Sequence, residues 1–353
     1  MIVALDATPL TLSSGGLRRY TEELARALAE NFPEDEILLV SDQRFEMPRA
    51  ELGNLKPGGA PRSWLERRWW LWGLNRELAR RRAEVFHGTN FAVPYVALKP
   101  SVLSLHDLSP WMERGWHGAV QRVRRRTPLM LRRAVMVLTD SAAVRREAME
   151  RFRIPASRIV AVPLAAASHL RPAEARPAVP YFLYLGTLEP RKNLAVLVNA
   201  WREVRRRHAV ELVLAGRRRA DFPALPEEAG LRVVGEVAEE ALAPLYSGAV
   251  ACLYPSLYEG FGLPVLEAMQ CGAAVIASRD AAISEVAAGA AVQLEARDVR
   301  AWAEVMRASL EHPEWLAEWR RKGLERSREF SWARTARLTR EVYEEARRLA
   351  GSA

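Results

Sequence analysis

Apolar runs too short for a helix alternate along the chain with amphipathic stretches of helical length, the pattern of parallel βαβ units. In the first half, Ile2–Asp6, Glu36–Val40, Val85–His87, Ser101–Leu105 and Val135–Thr139 predict strands. Leu17–Asn31, Trp64–Arg82, Val120–Arg133 and Ser141–Arg151 predict helices, with Asp140 and Ser141 able to accept from the free amides of a first turn. From Ser168 to Pro180 there are three Pro and no period, which predicts a linker. Beyond it, Tyr181–Leu185, Glu211–Ala215, Arg232–Val234, Ala249–Tyr254 and Ala274–Ala277 predict strands, and Leu194–Arg207, Glu239–Tyr246 and Leu263–Cys271 predict helices. The expected organisation is two doubly wound Rossmann-like α/β domains, residues 1–168 and 181–330, joined by a linker over 169–180. Ligands of such sheets lie beyond the carboxyl ends of the strands, so two domains facing across a cleft are expected. Residues 331–353 read as a C-terminal helix packing back on the first domain.

With 353 residues, 49% of them hydrophobic, the chain has enough apolar material for two cores. No apolar run approaches the roughly 20 residues that cross a bilayer, and the opening Met-Ile-Val-Ala-Leu-Asp reads as a strand rather than a secretory leader. A cytoplasmic protein is expected. Cys252 and Cys271 fit no metal-ligand spacing and read as buried reduced thiols.

The net charge of +9 raises nucleic acid as a partner, but its distribution points elsewhere. Residues 60–82 carry seven Arg against two Glu, and residues 114–133 carry seven Arg and no acid. Trp64, Trp69, Trp70, Trp72, Trp111 and Trp116 accompany them. Arg beside interfacial Trp suits an anionic membrane surface, on the inner face of the cell membrane; a solvated Arg face over an aromatic core fits equally. No nucleic-acid recognition motif accompanies the charge, and nucleic acid is not expected as a partner.

The densest chemistry lies in Pro255-Ser256-Leu257-Tyr258-Glu259-Gly260-Phe261-Gly262-Leu263-Pro264-Val265-Leu266-Glu267-Ala268-Met269. It follows a predicted strand and opens a predicted helix, where free amides and the positive end of the helix dipole converge on an anion. Gly260 and Gly262 permit close approach of a ligand to the backbone, and Pro264 suits a first helical turn. Two carboxylates bracketing such a turn suit a sugar nucleotide, one for each polyol; a loop Glu and a solvated helix Glu around a structural turn is the plainer alternative.

Glu259 and Glu267 stand in E-x7-E spacing, and the stretch resembles the donor site of retaining glycosyltransferases of family 4, which have the two-domain GT-B fold. The resemblance runs the length of the chain. It implies that Glu259 contacts the donor sugar, that Gly260, Phe261, Gly262 and Leu263 line the sugar and phosphate site, and that Glu267 holds the ribose. In Gly186-Thr187-Leu188-Glu189-Pro190-Arg191-Lys192-Asn193, Lys192 matches the family's phosphate-binding lysine. Many relatives place an Arg after the strand glycine, where this chain has Thr187, and Arg191 is the cation nearest in sequence to compensate. This form resembles a subgroup rich in mannosyltransferases of envelope polysaccharide assembly. The turn Val234-Gly235-Glu236-Val237 corresponds to the one that receives the nucleotide base, putting Val234 and Val237 beside it. Gly15 and Gly16 match the glycine-rich loop that approaches the donor phosphate and the acceptor. His106 in His-Asp-Leu matches a histidine near the donor sugar, and His87 and Asn90 end another strand as candidate acceptor-side residues.

The expected reaction is transfer of a hexose, best read as mannose, from GDP-mannose or a UDP-sugar to a glycan or lipid-linked acceptor, with no metal and no further cofactor. His106, Glu259 and Lys192 are the candidate catalytic residues. Retention is read as front-face attack, in which the leaving phosphate takes the acceptor proton; a double displacement would need a carboxylate beneath the anomeric carbon. A sugar-nucleotide epimerase of the same shape and a non-catalytic envelope-assembly partner are the alternatives.

Overall fold

The computed structural model describes residues 1–12, 15–48, 52–112 and 120–351. Arg114 and Trp116 therefore lie outside the described residues. There are two compact units: residues 1–111, 120–164 and 331–351 form the first, and residues 165–330 the second.

The first unit is built on a seven-stranded parallel sheet of β1 (Ile2–Asp6), β2 (Glu36–Val40), β3 (Leu55–Pro57), β4 (Val85–Gly88), β5 (Ser101–Leu105), β6 (Met136–Thr139) and β7 (Ile159–Ala161). Their order is β3-β2-β1-β4-β5-β6-β7, so the winding reverses between β1 and β4, which pair with Leu5 opposite His87. The helices are α1 (Gly16–Asn31), α2 (Leu74–Arg80), α3 (Val120–Arg133) and α4 (Ala142–Phe152). Strands β4 and β5 are buried along their whole length, as expected of parallel strands covered on both faces. Ser141 caps α4 by accepting from the Val144 amide at 3.1 Å.

The second unit has a six-stranded parallel sheet of β8 (Tyr181–Leu185), β9 (Glu211–Ala215), β10 (Leu231–Gly235), β11 (Cys252–Tyr254), β12 (Val275–Ser278) and β13 (Val292–Leu294), in the order β10-β9-β8-β11-β12-β13. Its helices are α5 (Leu194–Arg205), α6 (Glu239–Ser247), α7 (Leu263–Gln270), α8 (Ala281–Ala287), α9 (Val299–Glu311) and α10 (Pro313–Ser327). Here the winding reverses between β8 and β11. Cys252 and Cys271 are both buried free thiols, and burial pushes the Cys252 thiol well above its usual range. Among the described residues no helix is long and apolar enough to cross a membrane.

Two expectations need correction. The Trp64–Arg82 helix is shorter and broken: Trp69–Gly73 forms a π-helical turn that leads into α2. Gly73 approaches the chain so closely that a Cβ there would lie 2.0 Å from the Glu66 carbonyl oxygen, which a regular helix through these residues does not allow. The segment read as a linker over 169–180 belongs to the second unit, whose boundary falls after Leu164. Leu170 is fully buried, and Gln270 on α7 donates to the carbonyls of Ala167 and Leu170 at 2.7 and 2.8 Å. Three prolines here set an extended path along a surface rather than a free tether.

The C-terminal helix α11 (Trp332–Gly351) is part of the first unit and lies against α1. The Thr335 hydroxyl donates to the Pro163 carbonyl at 2.7 Å, and Arg340 pairs with Asp35 at 2.6 Å. At its centre the Tyr343 hydroxyl meets His87 Nδ1 at 2.7 Å inside the core. Replacing Tyr343 by Phe leaves that buried ring nitrogen without a partner, at a cost of about 1–3 kcal/mol. Urea unfolding of Tyr343→Phe should show the first unit's transition moved to lower denaturant by that amount.

Candidate functional site

The carboxyl ends of β8 and β11 flank the reversal point of the second sheet, where ligands of doubly wound sheets bind. Two turns rise from them. After β8 the chain makes a single 3-10 turn, Pro190–Lys192, and enters α5 through Asn193, whose φ of 56° is left-handed. The Asn193 side chain ties this turn to its neighbour, its Nδ2 donating to the carbonyls of Pro255 and Ala296 at 3.2 and 2.7 Å. After β11, residues 255–262 lead to α7, with Gly262 as its cap at φ 101°, a conformation that a side chain would strain. The Leu257 amide donates to the Arg191 carbonyl at 2.8 Å, so the turns are joined through backbone as well.

Between them runs an alternating line of charges. Lys192 Nζ lies 2.5 Å from Glu259 Oε1, and Arg191 Nη1 lies 3.0 Å from Glu259 Oε2. Arg191 Nη1 also donates to the Tyr258 carbonyl at 2.8 Å, and its Nε pairs with Glu189 at 2.8 Å. Arg219 closes the line on the other oxygen of Glu189 at 2.6 Å. The side chains of Lys192 and Glu259 are only 10% and 11% exposed, so these charges act with little screening. Burial alone would raise the Glu259 carboxyl, but Lys192 and Arg191 overcome it and hold the group down to about 2. Lys192 is drawn below its usual value, first by burial and then by Arg191. An anion between two cations gains more than either cation does. Asp280 caps α8 and accepts from the Glu259 amide at 3.2 Å; burial pushes its carboxyl up to about 6, with the Glu259 charge adding to it.

Lys192, Arg191 and Glu259 are thus brought together, with Gly260, Phe261, Gly262 and Leu263 forming the start of α7 beside them. Phe261 is buried against Phe330 at a centroid distance of 6.0 Å, which fixes the turn. Glu267 sits on the inner side of α7, 2% exposed, accepting from the Tyr246 hydroxyl at 2.8 Å. Val234 is exposed on the edge strand β10 and Val237 is half-buried, so this turn presents mostly backbone. Thr187 is half-buried and its carbonyl accepts from Tyr184 at 3.0 Å. Glu189, Arg219 and Asp280 are members that the sequence reading did not single out. Glu189 stood inside a quoted motif, Arg219 is hidden in an Arg-rich chain, and Asp280 carried only the signal of a helix cap.

In the first unit, Gly15 caps α1 at φ 112°, and a Cβ on Gly15 or Gly16 would meet no atom within 4 Å. His106 follows β5, with Nδ1 2.8 Å from the Asp140 carboxylate and Nε2 2.7 Å from the Thr89 carbonyl. Both partners accept, so both ring nitrogens donate and the imidazolium is favoured. Burial would lower this histidine, but Asp140 outweighs it and raises it. An imidazole with both nitrogens committed positions its neighbours and takes no proton from a substrate.

The expectation that His87 faces an acceptor is wrong. It is fully buried, bonded to Tyr343 and to Ser104 Oγ at 2.8 Å, and burial with the nearby His106 pushes it down to about 3. It is a neutral core histidine that joins β4 to α11. Asn90, two residues past β4, is half-buried and makes no hydrogen bond to another described residue. The Trp residues also divide: Trp69 is buried and Trp70 and Trp111 are half-buried, whereas Trp64 and Trp72 are 70% and 50% exposed.

Because the Glu259 carboxyl sits lower in the folded chain than in the unfolded one, its stabilisation is present above pH 4.5 and is lost as pH falls toward about 2. Glu259→Gln leaves two buried cations unneutralised, so at pH 7 it should destabilise the second unit by about 3–5 kcal/mol. Unfolding curves between pH 2 and 7 should show a flatter acid limb for the variant than for the wild type.

Two family models match: Glycosyl transferases group 1 over residues 179–312 and Glycosyltransferase Family 4 over residues 14–166. The O-antigen chain mannosyltransferase B of Escherichia coli is 31% identical over 97% of this chain and 99% of its own length. Among solved structures, sucrose-phosphate synthase from Thermosynechococcus elongatus superposes with a TM-score of 0.77 at 20% identity, over the whole of both chains. Anabaena HepE in complex with UDP and glucose does so with 0.73 at 17% identity, over 97% of this chain and 99% of its own. These likenesses give the GT-B fold, and with a relative matched along both full lengths, the chain belongs to the family 4 glycosyltransferases.

Proposed function

We propose that the protein transfers a hexose, best read as mannose, from a nucleoside diphosphate sugar to a glycan or lipid-linked acceptor in envelope polysaccharide assembly, with retention of configuration and without a metal. The observation that carries this is the buried Lys192–Glu259–Arg191 cluster at the reversal point of the second sheet, beside the turn that leads into α7. The likeness to an O-antigen mannosyltransferase supports the sugar and the setting.

In this reading the anomeric carbon breaks its bond to the diphosphate oxygen and bonds the acceptor oxygen on the same face, and the leaving phosphate takes the acceptor proton. Lys192, with the amides from Gly260 to Leu263, carries the charge that develops on that phosphate. A cation that already neutralises a buried carboxylate needs no reorganisation of solvent to take up a phosphate. Glu259, released from Lys192, accepts from the sugar hydroxyls while Arg191 keeps it in place. Glu267, positioned by the bond that its Oε2 accepts from Tyr246, holds the ribose, and Val234 and Val237 flank the base through backbone. His106 acts as a positioning residue through Thr89 and Asp140, Gly15 and Gly16 approach the donor phosphate and the acceptor, and Asn90 serves the acceptor side of the first unit. The exposed Trp64 and Trp72 beside Arg67 and Arg68 suit attachment to the inner face of the membrane.

Purified protein given GDP-mannose and a panel of UDP-sugars in EDTA, with a lipid-linked acceptor pool, should release diphosphate from one donor. Lys192→Ala and Glu259→Ala should each slow that release by about 10²–10³-fold. Release from no donor by the wild type, or a product of inverted configuration, contradicts the reading.

A further inference from the structure

Arg126 on α3 belongs to the basic stretch whose charge the sequence assigned to a surface. In the fold it is held by two rings. Its guanidinium carbon lies 5.3 Å from the ring centre of Trp70 and 5.3 Å from that of Tyr95. The Tyr95 amide donates to the Trp70 carbonyl at 2.9 Å, and Trp70 packs edge-on against Phe86 of β4 at 6.4 Å, so the two rings are held by the core. Such a pair of contacts restricts a guanidinium that a free arginine would hold loosely.

Nε and Nη2 of Arg126 are shielded from solvent and have no hydrogen-bond partner among the described residues. These two N–H groups share one edge of the guanidinium, the edge that makes paired bonds to an oxyanion. Buried charged donors are costly when unpaired. The carboxylate that feels Arg126 is Asp6 at the end of β1, but its Oδ1 is taken by the amide and hydroxyl of Thr8 at 3.0 and 2.6 Å. Burial pushes the Asp6 carboxyl up to about 6 and outweighs the pull of Arg126 on it. Asp6 and Phe86 lie on β1 and β4, which flank the reversal point of the first sheet, so Arg126 sits beside the part of that unit where doubly wound sheets bind ligands. The stretch from 120 to 133 has no acidic residue, which favours a group of higher negative charge over a carboxylate.

We propose that the Nε–Nη2 edge of Arg126, held against the rings of Trp70 and Tyr95, is the seat of a phosphate group on the acceptor. The word acceptor rests on the transferase reading; the phosphate seat does not.

Calorimetric titration of the full chain with inorganic phosphate tests the seat directly. The wild type should bind one phosphate more than Arg126→Gln, and Arg126→Lys, which keeps the charge but not the fork, should bind it at least ten-fold more weakly than the wild type. Equal stoichiometry and affinity in wild type and Arg126→Gln, with both folded by circular dichroism, overturns the proposal. Acetate binding as tightly as phosphate at this position overturns the assignment to phosphate. Phosphatidylglycerol vesicles separate a discrete seat from general attraction: vesicle binding lost with Arg126→Gln and no binding of inorganic phosphate would make it a membrane contact instead. In transfer assays, Arg126→Gln should raise KM for a phosphate-bearing acceptor at least ten-fold and leave donor KM unchanged. If no sugar is transferred at all while phosphate binding still depends on Arg126, the transferase reading fails and the seat stands. If transfer is intact and indifferent to Arg126, the reverse holds.

Discussion

Glu259 can be buried as an anion only because Lys192 and Arg191 meet it from the neighbouring turn. Taking a carboxylate out of water is expensive, and two cations at hydrogen-bonding distance are what offset it. That requirement fixes the geometry of the second unit's rim. The turn after β8 must be tight enough to deliver consecutive cations, which Pro190 and the left-handed Asn193 achieve. The turn after β11 must return through Gly262 so that α7 points its amides toward the same place. Glu189 and Arg219 extend the alternation and hold Arg191 on its far side. A buried anion already held between cations suits the proposed exchange of internal ion pairs for those of a diphosphate sugar.

The first unit is organised by a different constraint, the burial of polar groups along β4 and β5. His87, Ser104, Tyr20 and Tyr343 satisfy one another in a closed set, with Tyr20 and Ser104 at 2.8 Å. This set depends on α11 supplying a hydroxyl from the far end of the chain. One layer outward, His106 bridges Asp140 and the Thr89 carbonyl and so fixes the rim without exposing a reactive nitrogen. His87 on β4 and His106 just past β5 are thus pushed opposite ways, His87 down chiefly by burial in the core and His106 up by the Asp140 carboxylate.

Most of the architecture was legible because parallel strands buried on both faces are short apolar runs; Ile2–Asp6, Glu36–Val40, Ser101–Leu105, Tyr181–Leu185 and Glu211–Ala215 end where the pattern ends. The short outer strands Leu55–Pro57, Ile159–Ala161 and Val292–Leu294 were not, since three residues carry no period. The Trp69–Gly73 turn was hidden by its helical composition, and the close approach of Gly73 to Glu66 is a tertiary fact. In the site, Lys192, Arg191 and Glu259 could be named from motifs, but their mutual pairing could not. His87 was misread because a polar residue at a strand end looks the same whether a ligand or a distant tyrosine meets it. Arg126 illustrates the same limit: seven Arg between 114 and 133 gave no sign of which one would be stacked.

The central claim is that the resting Lys192–Glu259 pair is exchanged for contacts with the donor. A crystal structure with a hydrolysis-resistant nucleoside diphosphate sugar tests it most directly. The account predicts Lys192 Nζ on a phosphate oxygen and Glu259 on the sugar hydroxyls, with Arg191 still bridging Glu259 and Glu189. A donor bound elsewhere with the Lys192–Glu259 pair unbroken would contradict it.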